Sequence, residues 1–265
     1  MTVAVDPGTA GHTPAVSLNL AARSLSRLVR MPGAIVPTLV MPLFFLLGFS
    51  GAYESLTELP GFPTDNILSW MAPWAVVQGA AFSGIGASIG VANDLEIGFY
   101  DRLVMAPTTR LSLLLGSVLA ALARVALPFT TVLTIALIAG AEVPAGVAGV
   151  LMLLVACEGI AVLAALGGLS IVYRLRTQRS MSLVQVLVFV TMFLSIGQVP
   201  LAVMNADWLH TAARINPMTN LLRLARQGFI GDVTWGDTWP GLVVIAVGAL
   251  VLGWTAMRGL RNLTG

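Results

Sequence analysis

Asp94-Leu-Glu-Ile-Gly-Phe-Tyr-Asp-Arg-Leu-Val-Met-Ala-Pro-Thr-Thr-Arg110 is a charged segment that lies between two long apolar segments. It holds three acids and two arginines, although only 10% of the 265 residues are charged. A charged side chain at the centre of a bilayer costs about 2.5–3.5 kcal/mol on insertion scales. We therefore expect residues 94–110 to lie outside the hydrocarbon, between two segments that cross it.

The overall composition is that of an integral membrane protein. Hydrophobic residues make up 57% of the chain, whereas soluble domains contain about 45–50% apolar and about 25% charged residues. Such hydrophobicity also excludes a disordered chain. The net charge of +2 does not indicate nucleic-acid binding, because the basic residues are all arginines that flank apolar segments. Cys157 lies alone in an apolar segment, so we expect neither a disulfide framework nor a metal site.

Six apolar segments predict an all-α integral membrane protein with six transmembrane helices, since a spanning helix needs about 20 residues. Their approximate limits are 33–50, 67–92, 111–140, 145–172, 181–203 and 240–257. Ten of the fourteen arginines precede the first span, follow the last, or lie between spans two and three or four and five. The positive-inside rule therefore predicts that both termini are cytoplasmic.

The N-terminal region predicts a tail followed by an amphipathic helix. Residues 1–16 contain no apolar core, which argues against a signal peptide and favours a disordered cytoplasmic tail. Residues 17–30 have helical periodicity, with an apolar face and a second face that carries Arg23, Arg27 and Arg30. Such a helix is typical of the headgroup layer; alternatively, the arginines only fix the topology. Residues 17–265 then form one transmembrane domain.

The sequence offers little catalytic material. It contains no lysine, which a P-loop requires to reach the phosphates of a nucleotide, and it has no metalloprotease or serine-hydrolase motif. We therefore expect a protein that is not an enzyme, and any ATP that drives it must be bound by another polypeptide.

Two charged residues fall inside predicted spans. Arg124 follows Arg110 by fourteen residues, and Glu158 precedes Tyr173 by fifteen. At about 1.5 Å rise per residue, both lie roughly 21–22 Å from the same membrane face. Buried ionisable residues in membranes usually have a partner or face water. We predict an Arg124–Glu158 ion pair; alternatively, each residue faces a water-filled pathway separately.

The segment 94–110 is compatible with a short helix that has one apolar edge. Leu95, Phe99 and Leu103 recur at i, i+4 and i+8. Pro107 breaks this helix before Arg110 continues toward the third span. A short helix with an apolar ridge and charged flanks suits docking into a groove of a cytosolic protein; alternatively, it is a solvated loop that only orients the spans. The charged flanks are Asp94, Glu96, Asp101 and Arg102.

Two motifs resemble those of ABC-2 type transporter permeases, and of the daunorubicin-resistance-type branch in particular. The first resembles the family's segment between spans two and three, although Ile97 stands where the family often has a basic residue. The second resembles the segment that precedes the family's last span. The first consists of Asp94, Glu96, Gly98, Asp101-Arg102-Leu103, Pro107 and Arg110, and the second of Asn216-Pro217, Thr219, Arg223 and Gly231.

The resemblance implies a permease of an ATP-driven exporter in the bacterial inner membrane, which moves hydrophobic drugs, lipids or glycolipids. Residues 94–110 would form a coupling helix seated on two cytosolic ATPase subunits, which would bind ATP and Mg. A second permease subunit would complete the transporter among membrane lipids, and residues 205–239 would form re-entrant helices at the outer face. The alternative function is an ATPase-independent secondary transporter or channel, for which a relay of intramembrane acids and inverted repeats are expected.

Overall fold

The computed structural model describes residues 13–30, 33, 36–105 and 108–264. Within these ranges, the chain is all-helical and has no strands. The α-helices are α1 (Thr13–Arg30), α2 (Val36–Tyr53), α3 (Ile67–Glu96), α4 (Phe99–Met105), α5 (Arg110–Ala139), α6 (Gly146–Leu175), α7 (Met181–Phe193), α8 (Asp207–Ile215), α9 (Pro217–Ile230) and α10 (Trp235–Arg261).

Five helices in the described ranges are long and apolar enough to cross a membrane: α2 with the turn that follows it, α3, α5, α6 and α10. They coincide with five of the six predicted spans. Large apolar side chains on their outer faces are exposed, such as Phe44 on α2 (64%) and Leu250 on α10 (74%). Apolar side chains that face outward along long helices suit a lipid environment rather than water. The chain is a multi-pass membrane protein.

The predicted span 181–203 is not one continuous helix, so the count of six is not confirmed. Helix α7 has 13 residues, which corresponds to about 20 Å and is shorter than the bilayer core of about 30 Å. Beyond it, the carbonyl groups of Ile196 and Gly197 accept hydrogen bonds from Arg226, and that of Gln198 accepts one from Trp70 Nε1. The chain can leave the helical conformation after α7 because side-chain donors satisfy the carbonyl groups of this non-helical segment.

Helix α3 is the centre of the molecule. It packs against α2, α5, α6 and α9, and most of its residues are buried. Its contact with α6 is especially close, because there is no room for a Cβ atom at Gly84 against the backbone of Ala161. A Cβ atom at Gly168 of α6 would lie 2.5 Å from Ser88 Oγ, which donates a hydrogen bond to the Ala165 carbonyl at 2.9 Å. Small residues thus hold α3 and α6 together as one unit.

The long helices give the molecule two distinct ends. At the α4 end, α4 joins α3 to α5, and Gly259 near the end of α10 packs against Tyr173 near the end of α6. At the α9 end, α9 contacts the start of α3 at Trp70 and the start of α6 at Gly149, and α8 precedes α9. Helix α1 packs along α5. Helix α1 begins at Thr13, so residues 13–16 are helical, whereas the sequence predicts that they belong to a disordered tail. Residues 1–12 lie outside the described residues.

Candidate functional site

The charged segment forms a turn and a short helix at the α4 end. Helix α3 ends at Glu96, and Gly98 turns the chain with a φ of 70°, a left-handed conformation that glycine adopts without strain. Helix α4 follows from Phe99 to Met105. Pro107 lies outside the described residues. Arg110 is the exposed first residue of α5, whose first turn is capped by the Thr109 side chain.

The predicted apolar edge faces the chain's own core rather than a partner. Leu95 is only 8% exposed and belongs to a buried cluster against which Leu103 packs. The ring of Phe99 is covered by the Arg23 guanidinium, whose central carbon lies 3.9 Å from the ring centre. The periodicity was correctly identified, but its apolar face is covered by α1 and by the helices of the core. These three residues therefore do not form the predicted docking ridge.

A different set of side chains faces outward here. Ile97 is 62% exposed and Met105 is 78% exposed, and Glu96 and Arg102 are also exposed. We refer to these four residues as the α4 surface. The side chain of Asp101 lies outside the described residues. The α4 surface combines two large apolar side chains with two charges, a mixture found at protein interfaces.

Two hydrogen bonds attach α4 and the end of α3 to the end of α6 and the turn that follows it. The hydroxyl groups of Tyr100 and Tyr173 lie 2.7 Å apart in the core, and the backbone N–H of Gln178 donates to Glu96 Oε1 at 2.7 Å. Burial raises the pKa of Tyr100, so this hydroxyl stays protonated at neutral pH. The α4 surface is therefore fixed to the rest of the molecule rather than carried on a free loop.

Asp94 holds α1 against α3. Arg23 binds both carboxylate oxygens of Asp94 at 2.7 and 3.2 Å, and Arg27 binds one at 2.7 Å. Asp94 is only 7% exposed, so the residue predicted to contact the ATPase is engaged within the chain. Arg30 is exposed at the end of α1. Two of the three arginines predicted for the interfacial helix thus connect helices to one another.

The structure does not bring Arg124 and Glu158 together. Arg124 Nη2 donates to the Ser24 carbonyl at 3.1 Å and to Ser24 Oγ at 2.8 Å. Glu158 Oε2 is buried and has no hydrogen-bond partner among the described residues. The depth of a residue does not determine the direction in which its side chain leaves its helix. Arg124 leaves α5 toward α1, and the predicted ion pair is not formed.

The second motif shapes the α9 end. The Asn216 side chain accepts a hydrogen bond from the Met218 N–H at 2.9 Å and donates to the carbonyl groups of Thr191 and Leu194 at 2.7 and 2.8 Å. Pro217 is the first residue of α9, where its missing N–H costs nothing. Gly231 follows the last residue of α9. Asn216 therefore starts α9 and joins it to α7.

The family model of the ABC-2 type transporter matches residues 17–230, which include the first motif, the second motif except Gly231, and all helices from α2 to α9. The chain belongs to the ABC-2 type transporter family. No curated protein matches it. ABC-2 membrane domains are the non-catalytic permease components of ABC transporters, and the described residues of this permease contain no cluster of His, Cys, Asp and Glu that could hold a metal ion.

In the sequence analysis we did not identify Arg226, a buried arginine of this ABC-2 permease. Arg226 on α9 is 1% exposed. Its Nε donates to the Trp70 carbonyl at 2.9 Å, and its two Nη atoms donate to Ile196 and Gly197 at 2.8 and 2.7 Å. Its guanidinium carbon also lies 3.6 Å from the centre of the Trp70 ring. The sequence does indicate that Arg226 is buried, because it lies three residues before Phe229 and therefore on the apolar face of α9.

Arg223, which belongs to the second motif, is exposed one turn earlier on the same helix. The two arginines therefore have different roles within α9. Arg223 is exposed, whereas Arg226, which lies outside the motif, connects α3, α9 and the segment after α7.

Proposed function

We propose that this chain is the permease subunit of an ATP-driven exporter, and that it works with two cytosolic ATPase subunits and a second permease subunit. Its family membership supports the permease role. The chain contains no lysine, so the usual P-loop is absent and the partner ATPase would bind ATP and Mg. The cargo would be a hydrophobic drug, a lipid or a glycolipid, as the resemblance to the daunorubicin-resistance-type branch implies.

The α4 surface carries this proposal, because it is the place where energy from the ATPase would enter the permease. Ile97 and Met105 are large apolar side chains that are more than half exposed on a surface that also carries charges. The hydrogen bonds of Tyr100 and Glu96 fix this surface to α6 and to Gln178 in the turn after it. A rigid surface with apolar anchors suits a protein partner better than a solvated loop does.

The arrangement of arginines supports the orientation in which the α4 end is cytoplasmic. Arginines of α1, α4, the loop after α6 and the end of α10 lie toward this end, and the positive-inside rule assigns such an end to the cytoplasm. Both termini would then be cytoplasmic in a bacterial inner membrane. At the other face, α8 and α9 would form the outer re-entrant region, and α1 would lie along the inner headgroup layer.

The coupling proposal is tested by charge reversal on the α4 surface. We expect Arg102→Glu combined with Met105→Glu to abolish co-purification of the proposed ATPase partner, since both changed side chains are exposed. The permease should still insert into the membrane and elute at the same volume. Glu96 is less suitable for this test, because its carboxylate also binds Gln178 within the chain.

Arg223→Glu is the matched control, because it reverses an exposed arginine at the α9 end. It should leave binding of the ATP-binding subunit unchanged. Full co-purification and full ATPase stimulation with the α4-surface variant would contradict the proposed contact. An equal loss in the Arg223→Glu variant would indicate a general effect of charge rather than a specific surface.

A further inference from the structure

A cavity of about 310 Å³ lies between α1, α2, α3, α5 and α7. Ligand sites in proteins commonly measure about 300–1,000 Å³, so this cavity can hold a small molecule or a lipid headgroup. Its polar lining includes Thr38, Gln178, Gln185 and Arg124. Since these residues come from separate elements, the cavity is a feature of the assembled fold rather than of one helix.

Arg124 is the only cationic residue among the described residues that line the cavity. It is 7% exposed. Its Nη2 binds Ser24, but its Nε is buried and has no acceptor among the described residues. No described carboxylate forms an ion pair with it, and Asp94, which contacts α1, binds Arg23 and Arg27 instead.

The buried guanidinium group of Arg124 is therefore energetically unfavourable for two reasons. Its positive charge lacks a counter-charge, and one of its donors lacks an acceptor; both are costly away from water. Arg226 shows the alternative, since three carbonyl groups occupy its donors. None of the described residues that line the cavity around Arg124 is acidic. An anion in the cavity would provide both the counter-charge and the acceptor.

The other residues that line the cavity indicate which class of anion would bind there. Guanidinium groups bind phosphate through paired, charge-assisted hydrogen bonds, and the Gln185 amide can donate to further oxygen atoms. Phe82, Ile85 and Leu127 form apolar walls beside these groups, and they suit a hydrocarbon chain. We propose that Arg124 anchors the phosphate group of an anionic, lipid-like molecule in this cavity. The site concerns the permease alone and does not depend on the proposed transport function.

Binding is tested with the full chain in detergent by native mass spectrometry and by its thermal unfolding midpoint. We expect short-chain phosphatidylglycerol to bind and to raise the midpoint, whereas the matching diacylglycerol, which lacks phosphate, should do neither. Arg124→Gln should weaken binding of phosphatidylglycerol at least tenfold. Arg258→Gln removes an exposed arginine at the end of α10, and it should change the affinity by less than twofold.

Leu127→Trp is a second test, which fills the cavity and leaves Arg124 in place. It should also weaken binding at least tenfold, and it decides the question if Arg124→Gln does not fold. Inorganic phosphate is tested in the same way. If it binds as tightly as phosphatidylglycerol and its binding depends on Arg124, the site binds phosphate but its ligand is the free ion. Equal binding of diacylglycerol, or an equal loss in Arg258→Gln, would overturn the proposal. The ATP-binding subunit is absent throughout, so failure of the coupling proposal would not affect this outcome.

Discussion

The two ends of the molecule use arginines in different ways to join helices: Arg226 is buried, whereas Arg23 and Arg27 are partly exposed. At the α9 end, Arg226 donates to three backbone carbonyl groups and stacks on Trp70. At the α4 end, Arg23 and Arg27 share the single carboxylate of Asp94. A carbonyl cage is fixed by the path of the backbone, whereas an ion pair joins two side chains that can separate. The contact at the α9 end is therefore rigid, whereas the contact at the α4 end is electrostatic and is weakened by salt.

The largest effect should come from removing the carbonyl cage. Arg226→Met retains much of the apolar stem but leaves three buried carbonyl groups without donors, and we expect a loss of about 3 kcal/mol in the free energy of unfolding. Denaturant unfolding in mixed micelles measures this change. Arg223→Met, one turn earlier and exposed, should cost less than about 0.5 kcal/mol. Similar losses of unfolding free energy in both variants would contradict a specific stabilising role for the hydrogen bonds of Arg226.

The ion pair at the α4 end should contribute less. Asp94→Asn leaves Arg23 and Arg27 without their counter-charge, and we expect a loss of about 1–2 kcal/mol, since Arg23 is partly exposed and solvent screens this pair. The wild-type protein should lose stability as NaCl is raised, whereas the variant should respond much less. Asp65→Asn, an exposed acid at the other end, is the control. An unchanged salt response in Asp94→Asn would contradict the electrostatic nature of this contact.

The smallest effect should come from the tyrosine pair that attaches α4 to α6. Tyr173→Phe leaves the Tyr100 hydroxyl buried without its partner, which should cost about 1 kcal/mol. The double variant with Tyr100→Phe should be closer to the wild type, because replacing both partners removes the unsatisfied group. Unfolding of both variants under the same conditions separates the two cases. A double variant as unstable as the sum of the single variants would show that the hydroxyl pair is not the source of the loss.

Continuous apolarity made five spans predictable, because each depends on local composition. The interruption after α7 was not predictable in this way. It depends on donors from Arg226 and Trp70, which lie far from residues 194–200 in the sequence. A run of apolar residues shows that a segment can be buried, but it does not show whether other parts of the chain will satisfy its backbone.

The charged segment illustrates a related limit. The spacing of Leu95, Phe99 and Leu103 correctly indicated an apolar face, but periodicity does not identify what covers that face. Here the chain itself covers it, and Ile97 and Met105 remain exposed. In the same way, residue counts predict similar depths for Arg124 and Glu158, but the directions of their side chains depend on how α5 and α6 are rotated in the assembled bundle.

The close packing of α3 on α6 has a mechanical consequence. Neither helix can slide or rotate past the other without driving Gly84 into Ala161 or Gly168 into Ser88. Under the proposed coupling, a force applied at α4 would move both helices together, and α3 is about 45 Å long over its 30 residues. The far end of α3 carries Trp70, whose carbonyl and ring both contact Arg226. A push at one side of the membrane would thus arrive at the opposite side as a displacement of α9.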